Sequence, residues 1–280
     1  MIKTIYYLPN FGQLGNQMAI LAHLMAFASK YNYQIIYPYS PRLKRCLDEE
    51  QIGKANVFFS KILSNKLLSS FLIKLIKYVC AHKNFQFLDI LMVNTRFVVD
   101  EQAAGKVFPS TIIITDWMFR FYAGVEEQQK DIKTWLSFDK QHTNRPQSFI
   151  QKINQDFAPA AIVGVHVRHG DYATWHGGKF FYDANTYYAK MQQIAAQMPD
   201  CVFVVCSNEN IVFENTAGLN IVHAKGSDIE DLCVLAHCDY IIGPPSTFSG
   251  WAAFLGSRPI FFLQTKEDTV AVDKFFTYQV

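Results

Sequence analysis

Residues 160–172 read AAIVGVHVRHGDY, an apolar run of strand length that ends abruptly in titratable side chains. An unbroken run of Ala, Ile and Val, rather than an alternation with polar residues, describes a strand covered on both faces, the habit of a parallel sheet. The segments that follow keep the same rhythm. NTYYAKMQQIAAQM (185–198) has helical spacing, CVFVVCS (201–207) and NIVHA (220–224) are strands, and DIEDLCVLAHC (228–238) is a helix. YIIG (240–243) is a strand, TFSGWAAFLG (247–256) a helix and PIFFLQ (259–264) a strand. Short apolar strands alternating with helices predict a parallel, doubly wound α/β sheet.

Upstream, KTIYYL (3–8), PNFGQLG (9–15), NQMAILAHLMAFASKY (16–31) and YQIIYPY (33–39) read strand, turn, helix, strand, one βαβ unit. Between residues 40 and 110, helical periodicity runs through Leu63, Leu67, Phe71, Leu75 and Val79, with no placement in a sheet. Polarity rises in DKQHTNRPQS (139–148), where a proline intervenes, and this reads as a linker. The expected architecture is two α/β domains, 1–148 and 149–280, facing a cleft.

The 280 residues suffice for a sizeable core, half being hydrophobic and 15% aromatic. A formal net charge of +2 gives no overall attraction to nucleic acid, so anion binding must be local. The cysteine pairs 201/206 and 233/238 have a C-x4-C spacing that matches no common zinc pattern and sit in apolar runs, which describes buried reduced thiols rather than a disulfide framework. The opening MIKTIYYLPNFGQLGNQ lacks the apolar segment of a signal peptide, and no stretch of 18 apolar residues occurs, so a cytoplasmic chain is expected.

Three stretches can carry chemistry. In GQLGNQ (12–17), Gly12 and Gly15 let backbone approach a ligand and Asn16 suits a helix cap; taken alone, such a stretch is more often just a turn and a cap. The dinucleotide fingerprint and the P-loop Lys-Ser/Thr are both missing from it, which disfavours a nicotinamide oxidoreductase. The second stretch is HVRHGDY (166–172). Ligands of parallel α/β sheets gather beyond the carboxyl ends of strands, where Arg168 to Asp171 fall, and arginine's planar fork suits a phosphate. Its plain reading is a solvated strand end. The third, PPSTFSGWAAFLG (244–256), opens a helix at Ser246 and Thr247, either a phosphate-binding helix start or an N-cap alone.

Taken in order, GQLGNQM (12–18), HVRHGD (166–171) and DLCVLAHCDYIIGPPSTFSGWAAFL (231–255) resemble the α-1,2-fucosyltransferase family, glycosyltransferase family 11. The resemblance implies a GT-B-like fold of two Rossmann-type domains. It implies inverting transfer of L-fucose from GDP-fucose to a glycan hydroxyl, the 2-OH of galactose, with no metal or other cofactor. The N-terminal domain would serve the acceptor and the C-terminal domain the donor. By similarity Arg168 holds the β-phosphate, helped by Ser246, Thr247 and Phe248, while Asp231 meets guanine or ribose and His166 lines the same pocket. The glycine turn of Gly12 and Gly15 and the candidate catalytic Asn16 face the cleft from the other domain.

Three departures from the family pattern stand out. His169 replaces a second arginine, Pro245 replaces an asparagine and Gly250 replaces the first residue of a Trp-Trp pair. Inverting transfer needs a base for the acceptor hydroxyl, for which Asp171, His169 and His176 are the candidates; Asp171 can equally orient Arg168. WHGGKFF (175–181) reads as an acceptor loop or a structural turn. Rival functions are transfer from another nucleotide-sugar and a catalytically silent glycan- or nucleotide-binding chain. Finally, residues 51–88 contain six lysines and no Asp or Glu. That suits peripheral contact with the inner face of a membrane, but the commoner arrangement is a core-facing helix with a lysine-rich solvent side.

Overall fold

A computed structural model describes residues 2–8, 12–81, 89–99, 107–214, 216 and 218–280. The chain divides into two compact units, Met1–Asp139 with Val280, and Lys140–Gln279. The boundary falls between Asp139 and Lys140, at the very start of the expected linker. Residues 140–148 are the first half of a helix, Lys140–Phe157, whose Ile150 and Ile153 are buried and which carries Pro146 inside it. Burial of one apolar stripe outweighs the polar composition and the proline from which a linker was read.

In the first unit, β1 (Lys3–Tyr7), β2 (Tyr33–Pro38), β3 (Val57–Ser60) and β4 (Ile90–Val93) are followed by β5 (Phe97–Val98), β6 (Thr111–Ile114) and β7 (Phe119–Arg120). A five-stranded parallel sheet has the order β3-β2-β1-β6-β4, and β5 pairs with β7 apart from it. The connection from β1 to β2 is the helix Leu14–Tyr31, apolar almost all round and buried accordingly. It ends where Asn32 takes a left-handed conformation. The helix Lys66–Ala81 turns Leu72, Ile73 and Ile76 toward a cluster of Leu8, Leu63 and Ile113. Leu67, Phe71 and Leu75, read from the sequence as one stripe with Leu63, are exposed instead; the side chain of Val79 lies outside the described set.

The second unit holds β8 (Ala161–Val167), β9 (Cys201–Ser207), β10 (Asn220–His223), β11 (Tyr240–Gly243), β12 (Pro259–Phe262) and β13 (Phe276–Thr277). Their order is β10-β9-β8-β11-β12-β13, parallel except for the last pair. All seven residues of β8 are buried, as its unbroken apolar run requires. Gly164 is there for packing: a Cβ would come within 2.7 Å of Leu235 and 3.1 Å of the Cys238 sulfur. Strand and helix Asp228–His237 are therefore in close contact. Chain order moves outward from β8 to β10 and then restarts on the other side with β11, so the sheet is doubly wound and its order reverses between β8 and β11.

Cys46, Cys201, Cys206, Cys233 and Cys238 are buried thiols, in line with the sequence reading. Among the described residues no helix is long and apolar enough to cross a membrane, and no cluster of His, Cys, Asp or Glu has the makings of a metal site.

Candidate active site

The reversal point places the ends of β8 and β11 side by side, with Tyr240 opposite Val163 and Ile242 opposite Val165. They approach so closely that a Cβ on Gly243 would lie 2.8 Å from the His166 carbonyl oxygen. Beyond these ends lies a cavity of about 310 Å³ lined by His166, Arg168, Ser207, Asn208, Asp231 and Phe248. The sheet supplies His166 and Arg168 from β8 and its exit, Ser207 and Asn208 from the end of β9, and the helices after β10 and β11 supply the other two.

Arg168 is held from two sides. Its Nη2 lies 2.8 Å from Asp171 Oδ1, and its guanidinium sits 5.6 Å from the centre of the Tyr172 ring. The side chain keeps 18% of its surface exposed, enough to offer the rest of its donor fork to an anion. His166 is almost fully buried, its ring 5.0 Å from that of Phe248. Burial first, and the nearby Arg168 charge second, push its pKa down to about 3, so the imidazole is neutral. Asp231 goes the other way. Burial and the neighbouring Glu230 raise its pKa to about 6, against a lowering hydrogen bond from the Gly226 backbone. Its Oδ1 is buried without a hydrogen bond among the described residues. A ligand N–H or O–H reaching this carboxylate would satisfy it.

The segment after β8 folds back as two 3-10 turns, Gly170–Ala173 and Trp175–Gly178. Gly170 has φ +59°, a left-handed conformation that glycine takes at little cost, and it starts the reversal. His169 does not join the cavity lining. Its ring stacks on Phe181 at 4.4 Å, with Nε2 2.8 Å from the Tyr182 carbonyl and Nδ1 3.7 Å from Glu209. Where the family pattern has an arginine, this chain has a buried strut. His176 is exposed, packs edge-on against Trp175 at 4.4 Å and does not line this cavity. Asp171, half exposed, is the one base candidate in contact with Arg168.

The helix Thr247–Gly256 follows β11, and Ser246 caps it, its Oγ accepting from the Phe248 N–H at 3.2 Å. Phe248 reaches the cavity lining, whereas Ser246 and the exposed Thr247 do not. The Gly250 departure has a local cause. A Cβ there would meet the Tyr278 ring at 2.6 Å, so the C-terminal segment occupies the space a larger side chain would need.

In the first unit, Gly12 (φ +82°), Asn16, Tyr7 and Trp117 line a separate cavity of about 350 Å³. The cap expected at Asn16 is elsewhere. The helix begins at Leu14 with Gln13 at the cap position, and Asn16 and Gln17 direct their backbone N–H groups to the Gln13 carbonyl. Gly15 is buried inside the helix's first turn rather than in the turn before it.

Some residues were missed from the sequence. Tyr172 donates to the Pro245 carbonyl at 2.6 Å and also bonds Ser246, joining the second and third motifs. Asn208 accepts from the His169 N–H at 2.9 Å and lines the cavity. A polar pair directly after an apolar strand, Ser207-Asn208, was the available signal.

Comparison with known proteins follows the same lines. The model of the family described as Glycosyl transferase family 11 matches residues 71–269. Galactoside alpha-(1,2)-fucosyltransferase 2 of Mus musculus is 33% identical over 120 residues, 38% of this chain and 33% of that protein. Galactoside alpha-(1,2)-fucosyltransferase 1 of Rattus norvegicus is 27% identical over 188 residues, 54% of this chain and 48% of that protein. The chain thus spans about a third to a half of the length of these curated relatives. Among solved structures, the fucosyltransferase NodZ from Bradyrhizobium covers 96% of this chain and 98% of its own with a TM-score of 0.58 at 15% identity. Arabidopsis thaliana FUT1 in complex with GDP covers 98% and 72%, with a TM-score of 0.59 at 12% identity. POFUT1 in complex with GDP-fucose covers 94% and 98%, at 0.57 and 12%. The shared architecture is the GT-B-like fold of parallel α/β sheets.

Proposed function

Because this chain belongs to glycosyl transferase family 11, we propose that it transfers L-fucose from GDP-fucose to a glycan hydroxyl, the 2-OH of galactose, with inversion at the anomeric carbon. One observation carries the reading: Arg168, permanently charged, stands at the switch point of the second sheet, braced by Asp171 and Tyr172 and facing the cavity lined by His166, Asp231 and Phe248. The named relatives that act on galactosides and the GDP-fucose complexes of the fold relatives support it.

In this reaction the bond from the fucose anomeric carbon to the β-phosphate oxygen breaks as the acceptor oxygen attacks from the opposite face. Negative charge grows on the departing diphosphate, and Arg168 is aimed at it before the reaction starts, so no reorganisation is needed at that moment. Asp231 takes an N–H of the base or a ribose hydroxyl. Neutral His166 and Phe248 form the apolar wall. The acceptor proton goes to Asp171, a carboxylate that also fixes Arg168. In the first unit the exposed Trp117, beside Gly12 and Asn16, has an aromatic face suited to stacking on a sugar.

The test is calorimetric titration with GDP, GDP-fucose, GDP-mannose, UDP and NAD, followed by a transfer assay on a galactoside. GDP should bind, and Arg168→Ala should weaken it by about tenfold to a hundredfold, the worth of a charged hydrogen-bonded contact. Asp171→Asn should keep GDP binding and lose transfer; loss of both would leave Asp171 with the positioning role alone. Binding of UDP or NAD in place of GDP would overturn the donor assignment. GDP binding without turnover would favour a silent binding protein, the reading that the strut role of His169 invites.

A further inference from the structure

The helix Lys66–Ala81 carries apolar side chains on two sides, one turned inward and the other exposed. Leu72, Ile73 and Ile76 pack toward Leu8, Leu63 and Ile113. On the outer side Leu67 is 85% exposed, Phe71 61%, Leu75 45% and Tyr78 60%. At about 100° per residue these four and the exposed Lys74 fall in one sector of the helix surface, a continuous apolar ridge with a cation set into it. Exposed ridges of this kind mark contact surfaces.

We propose that this face lies in the interfacial plane of an anionic lipid bilayer, with Leu67, Phe71 and Leu75 seated below the headgroups. The charge pattern selects the occupant. Along the sequence, residues 51–88 carry six lysines and not one carboxylate, and the exposed Lys74 stands on the ridge itself, a charge pattern that attracts an anionic surface. Two copies meeting across a twofold axis would set lysine-rich surface against its own image, which disfavours self-pairing through this face. At 16 residues the helix is too short to span a bilayer, and an amphipathic helix with lysines and aromatic side chains suits lying in the interface. Tyr78, at the C-terminal end of the ridge, fits the same boundary, with an apolar ring and a polar tip.

The experiment is co-sedimentation of the full chain with vesicles of phosphatidylglycerol and phosphatidylcholine, and with vesicles of phosphatidylcholine alone, at low and high salt. Wild type should pellet with the anionic vesicles at low salt and be released by high salt. Leu67→Ser with Phe71→Ser should lower the partition by about tenfold or more, since two large side chains no longer leave water. Lys74→Glu should weaken the anionic binding while leaving the ridge intact. All these positions are exposed, so the thermal transition should match wild type and show that the variants fold. No pelleting with anionic vesicles, or pelleting that the double serine variant leaves unchanged, would overturn the proposal. So would a dimer in solution that the same variant dissociates, which would hand the face to a second copy.

Discussion

The carboxyl of Asp231 sits in the first turn of the helix Asp228–His237, where the N-terminal end of the helix favours negative charge, yet its pKa is pushed up to about 6. Burial therefore outweighs the helix. An acid whose folded pKa lies above its unfolded value of 3.8 costs the fold stability when ionised: the penalty is complete above about pH 6 and disappears below about pH 4. A shift of this size corresponds to at most about 3 kcal/mol. Asp231→Asn should accordingly raise stability by about 1–3 kcal/mol at neutral pH and bring no gain at pH near 4, read from urea midpoints at the two pH values. The same substitution should weaken GDP by about tenfold or more, because a charged acceptor for a ligand N–H is lost. Wild-type affinity should also fall as pH drops through about 6, and the variant's should not. A destabilised Asn variant with unchanged GDP affinity would show that Asp231 serves the fold and not the ligand.

At the scale of elements, the site exists because two loops are tied together: Tyr172, on the 3-10 turn after β8, bonds the Pro245 carbonyl and Ser246 ahead of the helix Thr247–Gly256. Tyr172→Phe keeps the ring beside Arg168 and removes only the tie. It should cost about 1–3 kcal/mol of stability, as two hydrogen bonds do, and lower GDP affinity severalfold with Arg168 still present. Unchanged calorimetry would mean that the loops hold their places independently. This tie also explains what could be read from the sequence. The strands β8, β9 and β11 were legible because each is an apolar run bounded by turn residues, and the carboxyl end of β8 pointed to Arg168, while His166 entered through the family resemblance. Contacts between motifs carry no local signature, so Tyr172 and Asn208 stayed hidden. His169 was misread as a base candidate of the open site because sequence shows an imidazole and not the Tyr182 carbonyl it bonds. The helix Lys140–Phe157 was missed because its polar residues and Pro146 outnumber the few buried positions that hold it. In the helix Lys66–Ala81, periodicity found a face but could not say whether that face looked inward.

For the whole molecule, acid is the condition that separates the two units. Each unit buries a histidine that the fold keeps neutral: His23 in the first, its Nδ1 accepting from the Phe121 N–H at 3.0 Å, and His166 in the second. Burial leads in both, with Arg120 and Arg168 adding to it, and both pKa values fall to about 3. A base with a lowered folded pKa contributes stability that is complete above its unfolded value of 6.5 and is lost as pH falls toward the folded one. Between pH 6 and 5 the unfolded chain holds nearly one proton more per histidine than the folded one, which removes about 1.2 kcal/mol per pH unit. The first unit should lose stability at about that rate. In the second unit His223 shifts in the same direction as His166, while Asp231 binds its proton in the folded state over the same interval and opposes them. Carboxylates held below their usual range, such as Asp183 and Glu230, act at lower pH. The second unit should therefore respond less steeply than the histidines alone dictate, and Asp231→Asn should steepen it by about 1 kcal/mol per pH unit while leaving the first unit's slope unchanged. Urea-dependent hydrogen exchange, followed on peptides from β1 and β2 and from β8 and β9 at several pH values, reads the two slopes separately. Equal slopes in both units, insensitive to Asp231→Asn, would mean that Asp231 is not protonated in the fold at pH 5 and would remove the basis for its pH-dependent role in GDP binding.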